Sequence, residues 1–281
     1  MTHSLLDALP LTCPMCGQDL YRRTGSLVCP ARHTFDIARH GYVNLAAGRA
    51  LVGDTTAMVV DRDDFLAAGH YRPLAERIAA LAADALPDTG GLVVDAGGGT
   101  GYYLAHVLDA APAASGLVID SSVAAVRRAA KAHPQAAALA WNVWERWPLE
   151  DASAHLVLDV FAPRNADEFH RVLRRDGALL VVTPAPDHLA EVREVAPLIG
   201  VDERKPERLD KALAAGFRTE TRERLAFMMR LDEAGLRQVV GMGPSAHHRG
   251  PADQPVPRGI TATASFVLTV YRPVPHRGTA T

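Results

Sequence analysis

The sequence predicts an α/β protein: a doubly wound, mainly parallel sheet of seven strands preceded by a small metal-binding module. Three observations carry this. Short apolar runs alternate with helical segments from Leu92 to Thr183. A glycine-rich turn, Gly97 to Gly101, sits where the first of those runs hands over to a helix. The only three cysteines of the chain, Cys13, Cys16 and Cys29, fall together near the start, with His33 close behind. Repeated βα units of this length build a parallel sheet with helices on both faces.

The cysteines read C-x2-C-x12-C-x3-H. The first pair forms a knuckle whose thiolates face one point, and Cys29 with His33 supplies the other half of a closed tetrahedral site. Zinc is the expected ion, and another thiophilic metal remains open. With four protein ligands the site is structural, because no position is left for substrate. An odd cysteine count cannot pair fully within one chain, and a redox C-x-x-C would sit beside a βαβ unit that the segment lacks. Residues 1–45 are read as this zinc-binding module and 46–72 as a linker and helix. The small residues between 46 and 56 suggest a mobile stretch. Residues 73–281 are read as the main domain.

Within it, Leu92–Asp95 is the first strand and Tyr102–Asp109 a helix. Gly116–Asp120 is the second strand, followed by a helix that Ser121 or Ser122 caps. Ala136–Ala140, His155–Phe161 and Ala178–Thr183 are further strands, with a helix over Asn165–Arg174. Pro73 suits the first turn of a helix running to Leu86. Later, helices are expected over Pro206–Ala215 and Asp232–Met242, and long strands within Phe217–Arg230 and over Ile260–Tyr271. Those two strands suggest an antiparallel pair finishing the sheet. The prolines 251, 255 and 257 mark a loop over Gly250–Gly259.

The chain has 281 residues, about two domains at roughly 150 residues each. Its 48% hydrophobic and 22% charged residues exclude a disordered or fibrous chain. No apolar run approaches the roughly 18 residues of a membrane span. The first residues carry no Lys or Arg, so a secretory leader is not expected and the setting reads as cytoplasmic. A net charge of −2 gives no global basic field, so any nucleic-acid contact must use a local patch. Arg22, Arg23, Arg32 and Arg39, near the cysteines, are the candidates.

The glycine turn has a specific chemistry. Asp95 closes the first strand just before it, and Asp120 closes the second. A carboxylate at Asp120 can accept bonds from both hydroxyls of a ribose. A carboxylate at Asp95 suits an ammonium and would repel a pyrophosphate. Together with the G-x-G-x-G spacing, this favours S-adenosyl-L-methionine over a dinucleotide, and the antiparallel strand pair fits a Rossmann-like class I S-adenosylmethionine-dependent methyltransferase. No Gly-Lys-Ser/Thr follows, which excludes a P-loop. Asn142, after the third strand, either bonds the adenine amine or is an ordinary loop residue. Asp159, near the end of the fourth strand, is placed close to the transferred methyl group and is the candidate catalytic proton acceptor. A carbonyl between Phe161 and Pro163 is the alternative acceptor.

Several segments, in order, carry a family resemblance: the Cys/His motif, Gly41-Tyr42-Val43-Asn44-Leu45, Gly69-His70-Tyr71, Asp95 to Gly101, Phe161-Ala162-Pro163, and Thr183-Pro184 to His188-Leu189. The chain resembles the 23S rRNA (guanine-N1)-methyltransferases, in particular the actinobacterial tylosin-resistance branch, over nearly its whole length. That resemblance implies methylation of N1 of one guanine in a 23S rRNA hairpin near the peptide exit tunnel, with a contribution to macrolide resistance in producers. It implies that Cys13, Cys16, Cys29 and His33 hold the metal and that the zinc module grips RNA. It also implies that Tyr71, the Gly97–Gly101 loop and His188 touch the cofactor, and that two copies can dimerise around an RNA cleft. The full candidate cofactor set is Tyr71, Asp95, Gly97, Gly99, Thr100, Gly101, Tyr102, Asp120, Asn142 and His188. Two other readings stay open: a small-molecule methyltransferase on the same scaffold, and a non-catalytic zinc-containing RNA-binding protein.

Overall fold

In the computed structural model, residues 2–196, 211–243 and 257–275 are described. The helix expected over Pro206–Ala215 lies outside them up to Asp210, as does the proline loop from Gly250 to Val256.

The chain starts with helix α1 (Thr2–Ala8), followed by three short strands, β1 (Tyr21–Arg23), β2 (Ser26–Val28) and β3 (Thr34–Asp36), which form an antiparallel sheet in that order. This is a ribbon too small to bury much: only Leu27 and Phe35 of its strand residues are buried.

The larger sheet has the order β10-β11-β9-β8-β5-β6-β7-β4. Its parallel centre is β5 (Leu92–Ala96), β6 (Ser115–Asp120), β7 (Ala136–Ala140), β8 (Ala154–Val160) and β9 (Leu173–Pro184). All residues of β5 and β7 are buried, as strands covered on both faces require. The long hairpin of β10 (Phe217–Asp232) and β11 (Gly259–Pro273) runs antiparallel and joins the sheet against β9. The seven expected strands are thus present. An eighth, the two-residue β4 (Val43–Asn44), pairs parallel with β7 at the edge. β9 begins earlier than expected because Leu173 pairs with Ala154 before a register shift.

Helices α3 (Arg72–Ala85), α4 (Tyr102–Ala110), α5 (Val123–Ala129) and α7 (Ala190–Val195) bury residues against one face of this sheet. Pro73 lies in the first turn of α3, where a missing N–H costs nothing. Ser122 caps α5 by accepting from the Ala125 N–H. Helix α2 (Thr56–Ala67) packs on α8 (Glu233–Gly241), which Asp232 caps.

The other face is covered differently. The connection from β7 to β8 contains no helix. Its Trp141, Trp147 and Leu149 pack with Leu6, Leu11 and Leu27 of the N-terminal segment and with Phe169 of α6 (Ala166–Val172). Leu11 and Leu149 form a β-bridge, and the Thr12 N–H donates to the Pro148 carbonyl at 3.1 Å. The ribbon therefore stands where a crossover helix would otherwise cover the sheet.

Candidate functional site

The first cluster is the metal centre. The donor atoms of Cys13, Cys16, Cys29 and His33 all lie within 4.8 Å of one another. Cys16 Sγ is 3.6 Å from Cys29 Sγ, and His33 Nδ1 is 3.5 Å from Cys13 Sγ and 3.4 Å from Cys29 Sγ. Zinc bonds of about 2.3 Å to sulfur and 2.0–2.1 Å to nitrogen put tetrahedral edges at about 3.8 Å between sulfurs and 3.5 Å between sulfur and nitrogen. The donor set and its spacing fit zinc. Of the four expected RNA-contacting arginines, Arg23, Arg32 and Arg39 are exposed, and Arg22 reaches Asp7 at 3.9 Å.

The second cluster lies at the carboxyl ends of the parallel strands, where open α/β sheets take ligands. Gly97 and Gly99 have positive φ, at 65° and 56°, which a side chain would resist. A Cβ at Gly98 would lie 2.5 Å from the Asp95 carboxyl carbon, so only glycine lets the turn close over that acid. Asp95 is 1% exposed, and neither of its carboxylate oxygens has a hydrogen-bond partner among the described residues. Burial, helped by the nearby Asp120, pushes its pKa up to about 7. Such a group calls for a cationic or hydrogen-donating partner, and an ammonium such as that of S-adenosylmethionine would fit. Asp120 accepts from the Gly99 N–H at 2.9 Å and the Ser122 N–H at 2.7 Å, which fixes its carboxylate at the end of β6. Thr100 is buried, and Gly101 and Tyr102 start α4.

Tyr71 and His188 meet over this crevice, Oη to Nε2 at 3.1 Å. The His188 Nδ1 accepts from the Ser265 N–H at 3.2 Å, so the ring proton sits on Nε2 and is donated to Tyr71. Burial, with Arg193 adding, lowers the His188 pKa to about 4, so the ring is neutral at pH 7. Around them stands an aromatic wall: Phe65 and Phe266 meet Tyr71 edge-on at 4.9 and 5.1 Å between centroids, and Tyr103 faces Phe161 at 6.3 Å. Phe161 is 40% exposed and has a φ of 60°, so the chain turns sharply at the end of β8 and presents this ring to the crevice.

Two expected positions differ in the structure. Asn142 spends its side chain on its own turn, accepting from the Trp144 N–H at 3.1 Å and donating to Glu145 at 3.2 Å. Asp159 has no exposed surface and lies 3.7 Å from the Arg164 guanidinium. Strand alternation explains this. Leu158 and Val160 point to the aromatic side, and Asp159 points with Val157 to the ribbon side.

The linker differs too. Residues 46–55 form neither helix nor strand, yet the segment is pinned rather than loose. The Ser122 hydroxyl donates to the Asp54 carbonyl at 2.8 Å, a Cβ at Gly53 would lie 2.7 Å from Ser121 Oγ, and Asp54 forms an ion pair with Arg62. Arg62 also donates to the Met242 carbonyl at 2.9 Å and is the side chain nearest a Cβ built on Gly99.

Comparison with known proteins bears on the first cluster and on the chain as a whole. Residues 11–46 match the model of the RlmA N-terminal zinc ribbon. Over 275 residues the chain is 46% identical to the 23S rRNA (guanine(748)-N(1))-methyltransferase of Streptomyces fradiae, covering 94% of this chain and 97% of the relative. The chain belongs to the 23S rRNA (guanine-N1)-methyltransferase family. A relative of the same family from Micromonospora griseorubida is 46% identical over 95% of this chain and 99% of its own, and YxjB of Bacillus subtilis is 31% identical over 86% and 88%. Among solved structures, the MccD protein is similar in fold at a TM-score of 0.50 and 15% identity, covering 72% of this chain and 98% of that one.

In this member of the family, sequence reasoning missed Arg62, Phe65, Tyr103 and Phe266. No spacing in the sequence links them, because the fold draws them from α2, α4 and β11. The only signal available is that Phe65 and Tyr103 flank motifs already singled out, Gly69-His70-Tyr71 and the glycine turn.

Proposed function

We propose that this protein transfers the methyl group of S-adenosylmethionine to N1 of a guanine in 23S rRNA. The near full-length identity to relatives named for that activity carries the reading, and the orphaned Asp95 carboxylate beside the glycine turn supports the cofactor. When bound, the cofactor supplies an electrophilic methyl on a sulfonium. Asp95 would balance its ammonium and Asp120 would accept from its ribose, beside the neutral, hydrogen-bonded Tyr71–His188 pair. Asn142 contributes its backbone turn rather than its amide. Phe161 stacks on the target base, which must leave its helix to reach the crevice. Most of the acceleration is alignment and exclusion of water.

Guanine N1 carries a proton that must leave. Asp159, enclosed and paired with Arg164, anchors the residue that follows the Phe161–Pro163 turn; a backbone carbonyl of that turn orients the N1–H by accepting its hydrogen bond, and the proton released on methylation passes to water at the exposed rim. The target we propose is the 23S rRNA guanine equivalent to guanine 748, the one for which the Streptomyces fradiae relative is named, in a hairpin near the peptide exit tunnel, and its methylation contributes to macrolide resistance. The zinc ribbon grips the RNA, two copies pair around one RNA cleft, and the enzyme works in the cytoplasm. No helix among the described residues is long and apolar enough to cross a membrane.

A methyl on N1 blocks Watson–Crick pairing, so reverse transcription of treated 23S rRNA reads the reaction. A new stop at one guanine, dependent on protein and cofactor, is expected; a cDNA profile identical to that of untreated rRNA would overturn the proposal.

A further inference from the structure

A cavity of about 570 Å³ opens beside the outer end of the β10–β11 hairpin, away from the glycine turn. It is lined by His70, Arg230, Asp232, Gln238 and Arg258 among others. Arg230 pairs in register with Thr261, beyond the point where β11 leaves β9 at Phe266–Pro184, so this end of the hairpin projects past the carboxyl edge of the parallel sheet. Both arginines are exposed and have no ion pair or hydrogen bond among the described residues. Four other surface arginines, by contrast, are spent: Arg77 on Glu223, Arg224 on Asp187, Arg237 on Glu233, Arg272 on Glu220. The two unspent guanidiniums line one cavity and suit an anion, while the Asp232 carboxylate beside them is engaged by the Gly235 N–H.

A row of packed rings separates the cavity from the crevice. The His70 ring lies 4.6 Å from Phe65, Phe65 4.9 Å from Tyr71, and Tyr71 6.5 Å from Phe161. A Cβ at Gly235 would lie 3.0 Å from His70 Nε2, so that glycine admits the His70 ring to the cavity wall. A volume of this size is that of a small-ligand site. Its lining adds amide and imidazole hydrogen-bonding groups, which suit a base edge, to the arginines, which suit phosphate.

We infer that this cavity binds a nucleotide flanking the target guanine, its phosphate on Arg230 and Arg258 and its base toward His70 and Gln238. The inference rests on the proposed RNA substrate and deepens it: the enzyme reads a strand at two points, the flipped guanine at Phe161 and a neighbour at the hairpin end. Rigid separation of the two points selects the local shape of the RNA.

The test uses the full-length, zinc-loaded protein and an unmodified rRNA fragment spanning the target hairpin. Methyl-transfer kinetics, cofactor affinity and the salt dependence of RNA binding are measured for wild type, R230A/R258A and R230K/R258K. The alanine pair is expected to raise the RNA KM about tenfold with kcat and cofactor Kd within twofold. Its log-affinity against log-salt slope should fall by about 0.7, the value for one phosphate on a single strand. The lysine pair should keep the slope, which a merely structural role for the arginines would not restore. An unchanged KM and slope in the alanine pair, with wild type active, overturns the cavity site alone. A wild type that transfers no methyl group to RNA overturns the proposed function, and the salt slope still decides the cavity.

Discussion

The ribbon and the large sheet solve the same problem by opposite means. The strands β5 and β7 bury every residue and are held by apolar packing on both faces. The ribbon strands bury two side chains between them and rely on four donor atoms gathered within 4.8 Å. A metal replaces a core where a three-strand unit cannot build one. Yet the ribbon is no appendage, because it also supplies the cover that the sheet lacks between β7 and β8. The difference teaches that loss of metal and loss of sheet packing should be separable at the site but coupled at the interface.

Removing a ligand breaks the comparison most sharply. Structural zinc is worth about 10–16 kcal/mol in small zinc-finger units. Cys29→Ser is expected to lose the bound metal and open residues 11–46 to proteolysis, while cofactor affinity at the glycine turn stays within about threefold; metal analysis, limited proteolysis and calorimetry read these together. At the interface, Trp147 is 1% exposed, donates to the Val143 carbonyl at 3.0 Å and meets Phe169 at 5.6 Å. Trp147→Ala should cost about 3–5 kcal/mol and destabilise ribbon and sheet alike in denaturant unfolding.

On the sheet side, His188 sharpens the contrast through pH. Its folded pKa of about 4 lies below the ordinary 6.5, so between those values the unfolded chain binds more protons. The stability it contributes is complete above pH 6.5 and is lost as pH falls toward 4, on the order of 3 kcal/mol in all. Replacing it in His188→Gln should remove that part of the acid sensitivity, seen as a flatter melting temperature from pH 6.5 to 4. Smaller still is the effect at Asp95. With a pKa near 7 in the free protein it is mostly charged at pH 8 and mostly protonated at pH 6. Cofactor affinity should therefore drop about tenfold from pH 8 to pH 6, and titration calorimetry of Asp95→Asn should show a much weaker pH dependence.

Much of this was legible in the sequence for a physical reason: the features are local. The metal donors lie close together along the chain, the glycine turn and its two acids mark strand ends, and the strands of the sheet centre are short apolar runs. What was not legible depends on pairing between distant segments. Val43–Asn44 has too few residues to alternate and becomes a strand only because β7 offers an edge. The segment before α2 reads as loose from its small residues, but Ser122 and Arg62 fasten it from elsewhere. Asp159 stands at the expected strand end, and the parity of one residue turns it to the ribbon side and away from the crevice.

The reaction is read most simply with zinc-loaded protein, S-adenosylmethionine labelled at the methyl group and unmodified 23S rRNA, followed by digestion and mass spectrometry of the nucleosides. Label is expected in N1-methylguanosine and in no other nucleoside. Label in a different nucleoside, or none in RNA while the cofactor still binds, would contradict the proposed reaction.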